Sequence, residues 1–220
     1  MGITWNTRAE TGADIPAVRD INLAAFPTPA EADLVDALRA DPAAWIEGLS
    51  LVATDDTDRP VGHALLTRCH IGGAPALCLA PCAVRPEQQR TGAGSAAVRA
   101  ALSAAQRLGE HHVVVLGHPA YYPRFGFTRA SDSGIRLTID VPDEALMALT
   151  LDAGHPLPSG TVRYAAPFGI RGGTGRAGRT RVPARPGAGP PRRGRRAGRP
   201  GAGRSGCRGL RGTSAGRGDG

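Results

Sequence analysis

The sequence predicts an α+β domain with a mixed, mostly antiparallel sheet and flanking helices, followed by a disordered C-terminal tail. Short apolar runs joined by tight turns are typical of antiparallel strands, and a strand–loop–helix–strand succession follows them. Composition predicts the tail. All nine aromatic residues lie in residues 1–170, which carry a net charge of −5, whereas residues 171–220 carry 14 Arg and one Asp, a net charge of +13. A segment so poor in apolar residues cannot offset its ordering entropy, so we expect a domain over 1–170 and a disordered tail over 171–220.

A strand and two helices are predicted first. The strand lies near Ile3–Ala9. Asp14 can cap the first helix, whose apolar residues then keep mostly three- and four-residue spacing. Thr28 and Glu31 have the spacing of a capping box and predict the start of the second helix, which Asp41-Pro42 ends.

Three antiparallel strands are expected next, over Leu49–Thr54, Val61–Ile71 and Ala76–Val84. A polar, Asp-rich turn joins the first two strands, and Gly72-Gly73 favours a tight hairpin between the second and third. Consecutive strands joined by short turns of this kind predict an antiparallel meander.

The second half of the predicted sheet begins after a helix over Ser95–Leu108. Three consecutive valines in His112–Leu116 are typical of a strand buried on both faces. A strand, a helix and a strand in this order predict a right-handed crossover and a parallel pair at the centre of the sheet. Two further strands are expected near Ile135–Val141 and Thr161–Ala165, while Asp143–Leu151 could be helix or strand.

Several classes of protein are excluded by simple patterns. No apolar run approaches the roughly 18–20 residues that a membrane-spanning helix needs, and the N-terminus lacks the basic-then-apolar pattern of a signal peptide. Cysteines without an export signal are expected to be reduced, and their spacing does not suit a zinc site. The four are Cys69, Cys78, Cys82 and Cys207. We therefore expect a cytoplasmic protein with no metal and no membrane association.

The most informative segment is the loop between Val84 and the helix that follows. The first N–H groups of a helix have no partner within it, and with the helix dipole they favour a phosphate or diphosphate. Gly92 and Gly94 let the backbone approach such an anion, and Arg90 adds a positive charge. The spacing through Ala97 also satisfies a dinucleotide fingerprint, but the loop is too long and no carboxylate follows the next strand. An ordinary surface loop is the other interpretation that the spacing allows.

Two segments resemble a known family. Val84–Gly94 resembles the acetyl-CoA-binding signature of the GNAT family of N-acetyltransferases, Q/R-x-x-G-x-G/A after a strand that ends in Val, with Gln89, Gly92 and Gly94 at its fixed positions. Leu116–Phe127 resembles the family's Tyr-x-x-x-Gly-Phe segment, in the form seen in the YhbS-like subgroup of predicted acetyltransferases. The resemblance covers the whole predicted domain.

The resemblance implies that the two central strands splay apart and that the pantetheine arm of acetyl-CoA lies between them. Backbone groups near Cys82 and Val84 would pair with the pantetheine amides and the thioester carbonyl, and the loop would hold the diphosphate. A backbone N–H aimed at that carbonyl would form a small oxyanion hole. The candidate cofactor-binding residues are therefore Cys82, Val84, Gln89, Arg90, Thr91, Gly92, Ala93 and Gly94.

Tyr122 is the candidate catalytic residue, because it lies four residues before Gly126, where the family often has a general acid. A phenol with a pKa near ~10 is protonated at neutral pH and could donate to a leaving thiolate whose acid has a pKa of ~8.5. The alternative is that Tyr121 and Tyr122 are packing aromatics together with Phe125 and Phe127.

The general base has several candidates. His63, His70 and His118 have the right intrinsic pKa, and a water relay from backbone carbonyls would also serve. Cys82 stands where the family usually has an aliphatic residue. It could act as a nucleophile, but a small buried hydrophobic side chain is the simpler interpretation.

The function expected from these residues is acetyl-CoA-dependent transfer of an acetyl group to a primary amine of a small molecule or protein, by direct attack in a ternary complex. The alternative is a non-catalytic, acyl-CoA-binding protein that associates with nucleic acid through its tail, without sequence preference. A frameshift would also explain the tail, since the chain has no Lys and GC-rich codons encode Ala, Arg, Gly and Pro. The acceptor and the oligomeric state are left open by the sequence.

Overall fold

A mixed sheet with helices on both faces is the framework of the protein. The computed structural model describes residues 4–170. The α-helices of this part are α1 (Ile15–Ala25), α2 (Ala30–Ala40) and α3 (Ala93–Arg107). Its strands are β1 (Asn6–Ala9), β2 (Ser50–Thr54), β3 (Pro60–Ile71), β4 (Ala74–Val84), β5 (His112–Leu116), β6 (Thr128–Arg129), β7 (Ile135–Arg136), β8 (Leu146–Thr150) and β9 (Gly160–Tyr164).

The topology confirms the predicted mixed, mostly antiparallel sheet. The strand order is β1-β2-β3-β4-β5-β8-β6, and β9 pairs with β3 and β7. Strands β2, β3 and β4 form the expected antiparallel meander, and β1 extends it by pairing antiparallel with β2. Helix α3 then connects β4 to β5, which lie parallel. The predicted crossover is therefore present.

The central strands β4 and β5 pair over a short stretch only. Leu77 pairs with Val113 and Cys78 with Val114, close to the beginning of β5. Further along β4, the register with β3 shifts between Ala64 and Leu66, opposite Ala80-Pro81. A bulge disrupts a ladder locally, and proline has no N–H to give to a neighbouring strand. The expected splay of the central strands follows from these features.

Helices cover the sheet according to the alternation of side chains along the strands. Leu51 and Ala53 pack in the cluster that contains α3, whereas Val52 packs with Val18 and Val35 of α1 and α2. Successive side chains of a strand point to opposite faces, so both faces are buried. The valines of β5 follow the same rule, since Val113 and Val115 join the α3 side and Val114 the other.

Of the two predicted helix caps, Asp14 is the N-cap residue of α1 as expected but makes no side-chain hydrogen bond to it, and the cap at Thr28 was wrong. The carboxylate of Asp14 accepts from Arg8 at 2.6 Å and from the Thr11 N–H at 2.8 Å, and it makes no cap bond to α1. Helix α2 begins at Ala30 with Pro29 at the N-cap position and without a side-chain cap. Glu31, whose side chain was expected to complete the capping box, is buried. The Asp14 carboxylate is therefore occupied by Arg8 and Thr11.

The last third of the domain also differs from the expectation. The strand predicted over residues 135–141 is only Ile135–Arg136, while the ambiguous segment 143–151 contains the strand β8. β8 pairs along the whole of β5, and that long-range pairing decides its conformation. The two-residue strand β6 was not predicted. None of the helices between residues 4 and 170 has the length and apolarity to cross a bilayer. The expected tail over 171–220 lies outside the described residues.

Candidate active site

A pocket of about 520 Å³ lies where β4 and β5 diverge. The end of β4, the loop before α3, the end of α1 and the segment after β5 all contribute to it. Its lining residues are Ala25, Phe26, Cys82, Ala83, Val84, Gln89, Arg90, Gly92, Gly94, Ser95, His118, Ala120, Tyr121, Tyr122 and Arg124. Both segments that carry the family resemblance therefore meet at one place.

The loop turns into α3 through left-handed backbone conformations. Arg90 has φ of +64° and Gly92 has φ of +102°. Gly92 is the N-cap residue of α3, and no side chain in the described part of the chain caps this helix. The N–H groups of the first turn consequently lack intrahelical partners at the edge of the pocket.

Side chains hold this loop in place. The Gln89 side chain donates from Nε2 to the carbonyl of Val84 at 3.2 Å, and the Thr91 hydroxyl donates to the carbonyl of Gln88 at 2.6 Å. The indole N–H of Trp5 donates to the carbonyl of Thr91 at 3.1 Å. The loop is thus preorganised by its own side chains and by an aromatic residue that precedes β1.

Glycine is required at positions 92 and 94 of the loop for two different physical reasons. A Cβ on Gly94 would lie 3.0 Å from Cγ2 of Val84 and 3.5 Å from the hydroxyl of Tyr121, so glycine allows α3 to start against the end of β4. A Cβ on Gly92 would meet the ring of Trp5 at an ordinary 3.7 Å. Gly92 is therefore required for its positive φ rather than for space.

Tyr122 combines the two interpretations of the sequence, since it packs as a core aromatic and also lines the pocket. It is 3% exposed and makes edge-to-face contacts with Tyr121 and Phe127, at centroid distances of 5.1 and 5.8 Å. Gly117 leaves room for its ring, because a Cβ there would lie 2.3 Å from the ring carbon Cε2. Burial raises the pKa of Tyr122 well above its ordinary value, so the hydroxyl stays protonated at neutral pH.

Tyr121 differs from its neighbour in having a partner for its hydroxyl. That hydroxyl lies 3.2 Å from Oγ of Ser95 in the first turn of α3. The guanidinium of Arg124 lies over the ring, 4.6 Å from its centroid. Burial raises the pKa of Tyr121 as well. The hydroxyl of Tyr121 therefore joins the two sides of the pocket, and it is less available than an unpaired hydroxyl to donate a proton to a ligand.

Arginines dominate the charge of the pocket. Arg90 and Arg124 contribute guanidinium groups, and the lining includes no Asp or Glu among the residues of the described chain. Cys82 also lines the pocket, where burial raises the pKa of its thiol to about 12. A thiol with that pKa is a poor nucleophile at neutral pH, which supports its interpretation as a small hydrophobic side chain.

The three candidate histidines are separated by the fold. His118 lines the pocket. His63 is fully buried, with Nδ1 3.2 Å from Nδ2 of Asn22 and Nε2 2.9 Å from Oγ of Ser50, and desolvation lowers its pKa to about 3. His70 lies at the far end of β3, roughly 26 Å along the strand from Gly62, which pairs with Val84. His63 and His70 are thus outside the pocket.

The candidate binding residues fall into two groups. Thr91 and Ala93 do not line the pocket, because Ala93 is fully buried in the core and the carbonyl of Thr91 faces Trp5. The other six line it with their side chains or backbones: Cys82, Val84, Gln89, Arg90, Gly92 and Gly94. The catalytic candidate Tyr122 lines it as well. Lining residues that the sequence did not indicate include Phe26 at the end of α1, whose position follows from packing against the sheet.

Comparison with known proteins identifies the family. The profile of the Acetyltransferase (GNAT) family matches residues 15–127, just over half of the chain. The chain belongs to the GNAT family. It is 36% identical over 163 residues to "Uncharacterized N-acetyltransferase YjhQ" of Escherichia coli strain K12, covering 70% of this chain and 89% of YjhQ. It is 33% identical over 131 residues to "Uncharacterized N-acetyltransferase YhbS" of the same strain, covering 59% of this chain and 77% of YhbS.

Solved structures of GNAT proteins show the same fold. The crystal structure of YhbS from Escherichia coli in complex with CoA matches with a TM-score of 0.69 and 28% identity, covering 80% of this chain and 98% of YhbS. A GNAT acetyltransferase from Brucella melitensis in complex with acetyl-CoA matches with a TM-score of 0.61 and 30% identity, covering 75% of this chain and 98% of the other. These matches confirm the predicted family, its YhbS-like subgroup, the fold and the acyltransferase class.

Proposed function

We propose that this GNAT protein transfers the acetyl group of acetyl-CoA to a primary amine of a small molecule or protein, by direct attack in a ternary complex. One observation carries the proposal. The loop of residues 89–94 and the segment of residues 121–126, which resemble two separate family motifs, contribute to one pocket between the diverging strands β4 and β5. The solved relatives that hold CoA and acetyl-CoA support the choice of co-substrate.

The loop suits a diphosphate. Unpartnered N–H groups at the start of α3 and the positive end of the helix dipole attract an anion, and the side chain of Arg90 adds a positive charge. The absent Cβ of Gly94 keeps α3 against Val84. We propose that Thr91 and Ala93 contribute through their backbones, since their side chains are turned to other partners.

The end of β4 suits the pantetheine arm. Cys82 and Val84 line the pocket on a strand whose ladder with β5 has already ended. Backbone groups freed from a ladder are available to amides of an extended ligand. A backbone N–H directed at the thioester carbonyl would stabilise the charge that develops on its oxygen during attack.

Tyr122 is proposed to assist departure of the thiolate. The amine nitrogen attacks the carbonyl carbon, the C–S bond breaks, and the sulfur needs a proton or a hydrogen bond. The hydroxyl of Tyr122 stays protonated because burial raises its pKa, and it has no hydrogen-bond partner among residues 4–170. The raised pKa makes complete proton transfer to sulfur less favourable, so we expect hydrogen-bond donation to be its main contribution.

His118 is the proposed route for removing the proton of the attacking amine. It is the candidate imidazole that lines the pocket, and carboxylates are missing from the described lining. The alternative is a water relay from backbone carbonyls, which would take the proton without an imidazole.

The test is an acetyl-transfer assay on the full chain. Purified protein is incubated with acetyl-CoA and a panel of small primary amines and peptides with free N-termini, and CoA release is followed by chromatography. We expect release that depends on both the amine and the enzyme. Failure of acetyl-CoA to bind in calorimetry would contradict the proposal.

A parallel arm of the same assay addresses the competing function, which rests on the tail outside the described residues. Mixed-sequence single-stranded RNA is titrated at low and high salt. Binding of RNA together with acetyl-CoA binding and no transfer to any amine would favour the non-catalytic alternative. The cytoplasmic location stays a prediction.

A further inference from the structure

Two histidines and a carboxylate converge at the end of β5 that lies away from the pocket. Nδ1 of His155 lies 2.7 Å from Oδ2 of Asp152, and Nδ1 of His111 lies 3.8 Å from the same oxygen. The two imidazole rings are stacked with centroids 3.6 Å apart and an interplanar angle of 10°. One potential ligand atom from each residue lies within 4.8 Å of the others.

The backbone around these side chains is already organised. Oγ1 of Thr150 lies 2.8 Å from the carbonyl oxygen of Asp152, 2.7 Å from that of His155 and 3.4 Å from that of His111. The second carboxylate oxygen of Asp152 accepts from the N–H of Gly154 at 2.9 Å. Groups that orient potential ligands in this way reduce the cost of holding an ion.

One atom of the cluster lacks a partner. Nδ1 of His111 is shielded from solvent and makes no hydrogen bond within the described residues. Its separation of 3.8 Å from the carboxylate of Asp152 is too long for a hydrogen bond. A shielded polar atom without a partner is costly, and a cation between these two groups would satisfy both.

We propose that His111, Asp152 and His155 bind a divalent first-row transition ion of the zinc type. Neutral imidazole nitrogens and carboxylate oxygens are ordinary zinc ligands at about 2.0–2.2 Å, which places tetrahedral ligand atoms roughly 3.3 Å apart. The separations from Asp152, 2.7 and 3.8 Å, bracket that value. An imidazole binds a metal in its own ring plane, so the two stacked rings would have to rotate out of their parallel arrangement to direct both nitrogens at one ion. Both imidazoles would bind through Nδ1 and carry a proton on Nε2, so a proton that Nδ1 of His155 shares with Asp152 has to leave that nitrogen when the ion binds. Water would complete the coordination.

The site would stabilise the fold without taking part in acetyl transfer. It joins the beginning of β5 to the segment between β8 and β9, whereas the pocket begins beyond the other end of β5. The five residues of β5 span roughly 16 Å. We therefore expect zinc to raise the unfolding temperature and to leave turnover unchanged.

The test is calorimetric titration of zinc chloride into the full chain, purified without a histidine tag. A Cys207→Ser background removes a thiol that could itself bind zinc. We expect one zinc ion per chain and binding at least about tenfold weaker in His155→Ala and in Asp152→Asn. At a hundredfold excess of zinc over its dissociation constant, the unfolding temperature should rise by about 5 °C, and by about half as much at the same zinc concentration in a variant whose binding is tenfold weaker.

The matched control is His70→Ala. His70 and His111 line the same surface groove, but His70 is outside the proposed ligand set, so zinc binding should be unchanged. Asp152→Asn keeps the shape of the side chain, so it tests the ligand set if His155→Ala fails to fold. Absence of zinc binding at 1 mM, equal binding in the ligand variants, or an equal loss in His70→Ala would each overturn the proposal.

Discussion

At the beginning of β5 the two central strands lie side by side, with Leu77 beside Val113 and Cys78 beside Val114. At the other end a pocket of about 520 Å³ lies between Val84 and the segment that follows β5. The same pair of strands therefore supplies both a rigid core and a binding cleft. The difference comes from a few residues that interrupt the ladder rather than from a separate domain.

Physical features of single residues explain the contrast between this closed end and this open end of the strand pair. The valines of the closed end pack on both faces of the sheet. At the open end, the register shift opposite Ala80-Pro81 interrupts the ladder, and Gly117 leaves room for the ring of Tyr122 beside the pocket. Substitutions at the closed end should therefore change stability, and substitutions at the open end should change function.

The largest effect is expected for Tyr122→Phe at the open end. If Tyr122 has the proposed role, loss of the hydroxyl removes the hydrogen-bond donor of the leaving thiolate, which should lower kcat by about 100-fold while the Kd for acetyl-CoA changes by less than about twofold. Steady-state kinetics and calorimetry measure the two quantities. Tyr121→Phe is the matched control, since its hydroxyl already has Ser95 as a partner. A larger loss of kcat in Tyr121→Phe than in Tyr122→Phe would contradict the assignment of this role to Tyr122.

Val114→Ala should lower the free energy of unfolding by about 2.5 kcal/mol, because Val114 is fully buried at the closed end and the smaller side chain leaves a cavity. Urea denaturation measures the change. Leu108→Ala, at a side chain that is 56% exposed, should change stability by less than about 0.5 kcal/mol. An altered kcat in Val114→Ala would contradict the expectation that substitutions at the closed end change stability but not function.

His63 should make the protein sensitive to acid through stability. Its pKa is about 3 in the folded state against an ordinary 6.5, so the unfolded chain binds a proton below pH 6.5 that the folded chain refuses. The free energy of unfolding should therefore fall by about 2 kcal/mol from pH 7 to pH 5 because of this group. Denaturation at both pH values should show a smaller fall in His63→Gln; an identical fall would contradict the assignment.

Gly94→Ala should weaken CoA binding by about tenfold. The added Cβ would lie 3.0 Å from Cγ2 of Val84 and displace the start of α3 from the end of β4. Calorimetry with CoA measures the loss. Gly73→Ala is the control at the far end of β4, because a Cβ there would meet no atom within 4 Å. Equal affinities in the two variants would argue against close approach at Gly94.

The smallest effect is expected for Trp5→Phe. It removes the indole N–H that braces the carbonyl of Thr91 and should raise the Kd for CoA by about threefold. Trp45→Phe is matched in chemistry, and its indole N–H lies 3.4 Å from an exposed Glu47 carboxylate, outside the pocket. The same calorimetric titration should leave the Trp45 variant at the wild-type affinity. A threefold loss in both would point to a general effect of removing tryptophan.

Local patterns allowed much of the fold and of the site to be predicted. Helix α3, strand β5 with its three valines and the Gly-containing loop are each predicted by a residue pattern that lies within about a dozen consecutive residues. Of the predicted residues that line the pocket, Arg90, Gly92 and Gly94 follow from the loop pattern, whereas Cys82, Val84 and Tyr122 were expected only from the family resemblance.

Other features depend on partners far along the chain. The brace from Trp5 to Thr91 spans 86 residues, and Phe26 reaches the pocket only because α1 packs on the sheet. The conformation of β8 depends on its pairing with β5. Asp14 stands at the predicted N-cap position, but its carboxylate bonds to Arg8 and Thr11 instead of to α1. Helix α2 begins one residue later than the Thr28 pattern predicts, with Pro29 at its N-cap position.

Hydrogen exchange with and without CoA tests the contrast most directly. Binding should slow exchange of the backbone amides in residues 82–84 and 92–96 by at least about tenfold, because a ligand protects the groups that it contacts. CoA should slow exchange of the amides of residues 112–114, at the closed end, only by as much as it slows global unfolding. Unchanged rates at the start of α3 in the presence of saturating CoA would contradict the account.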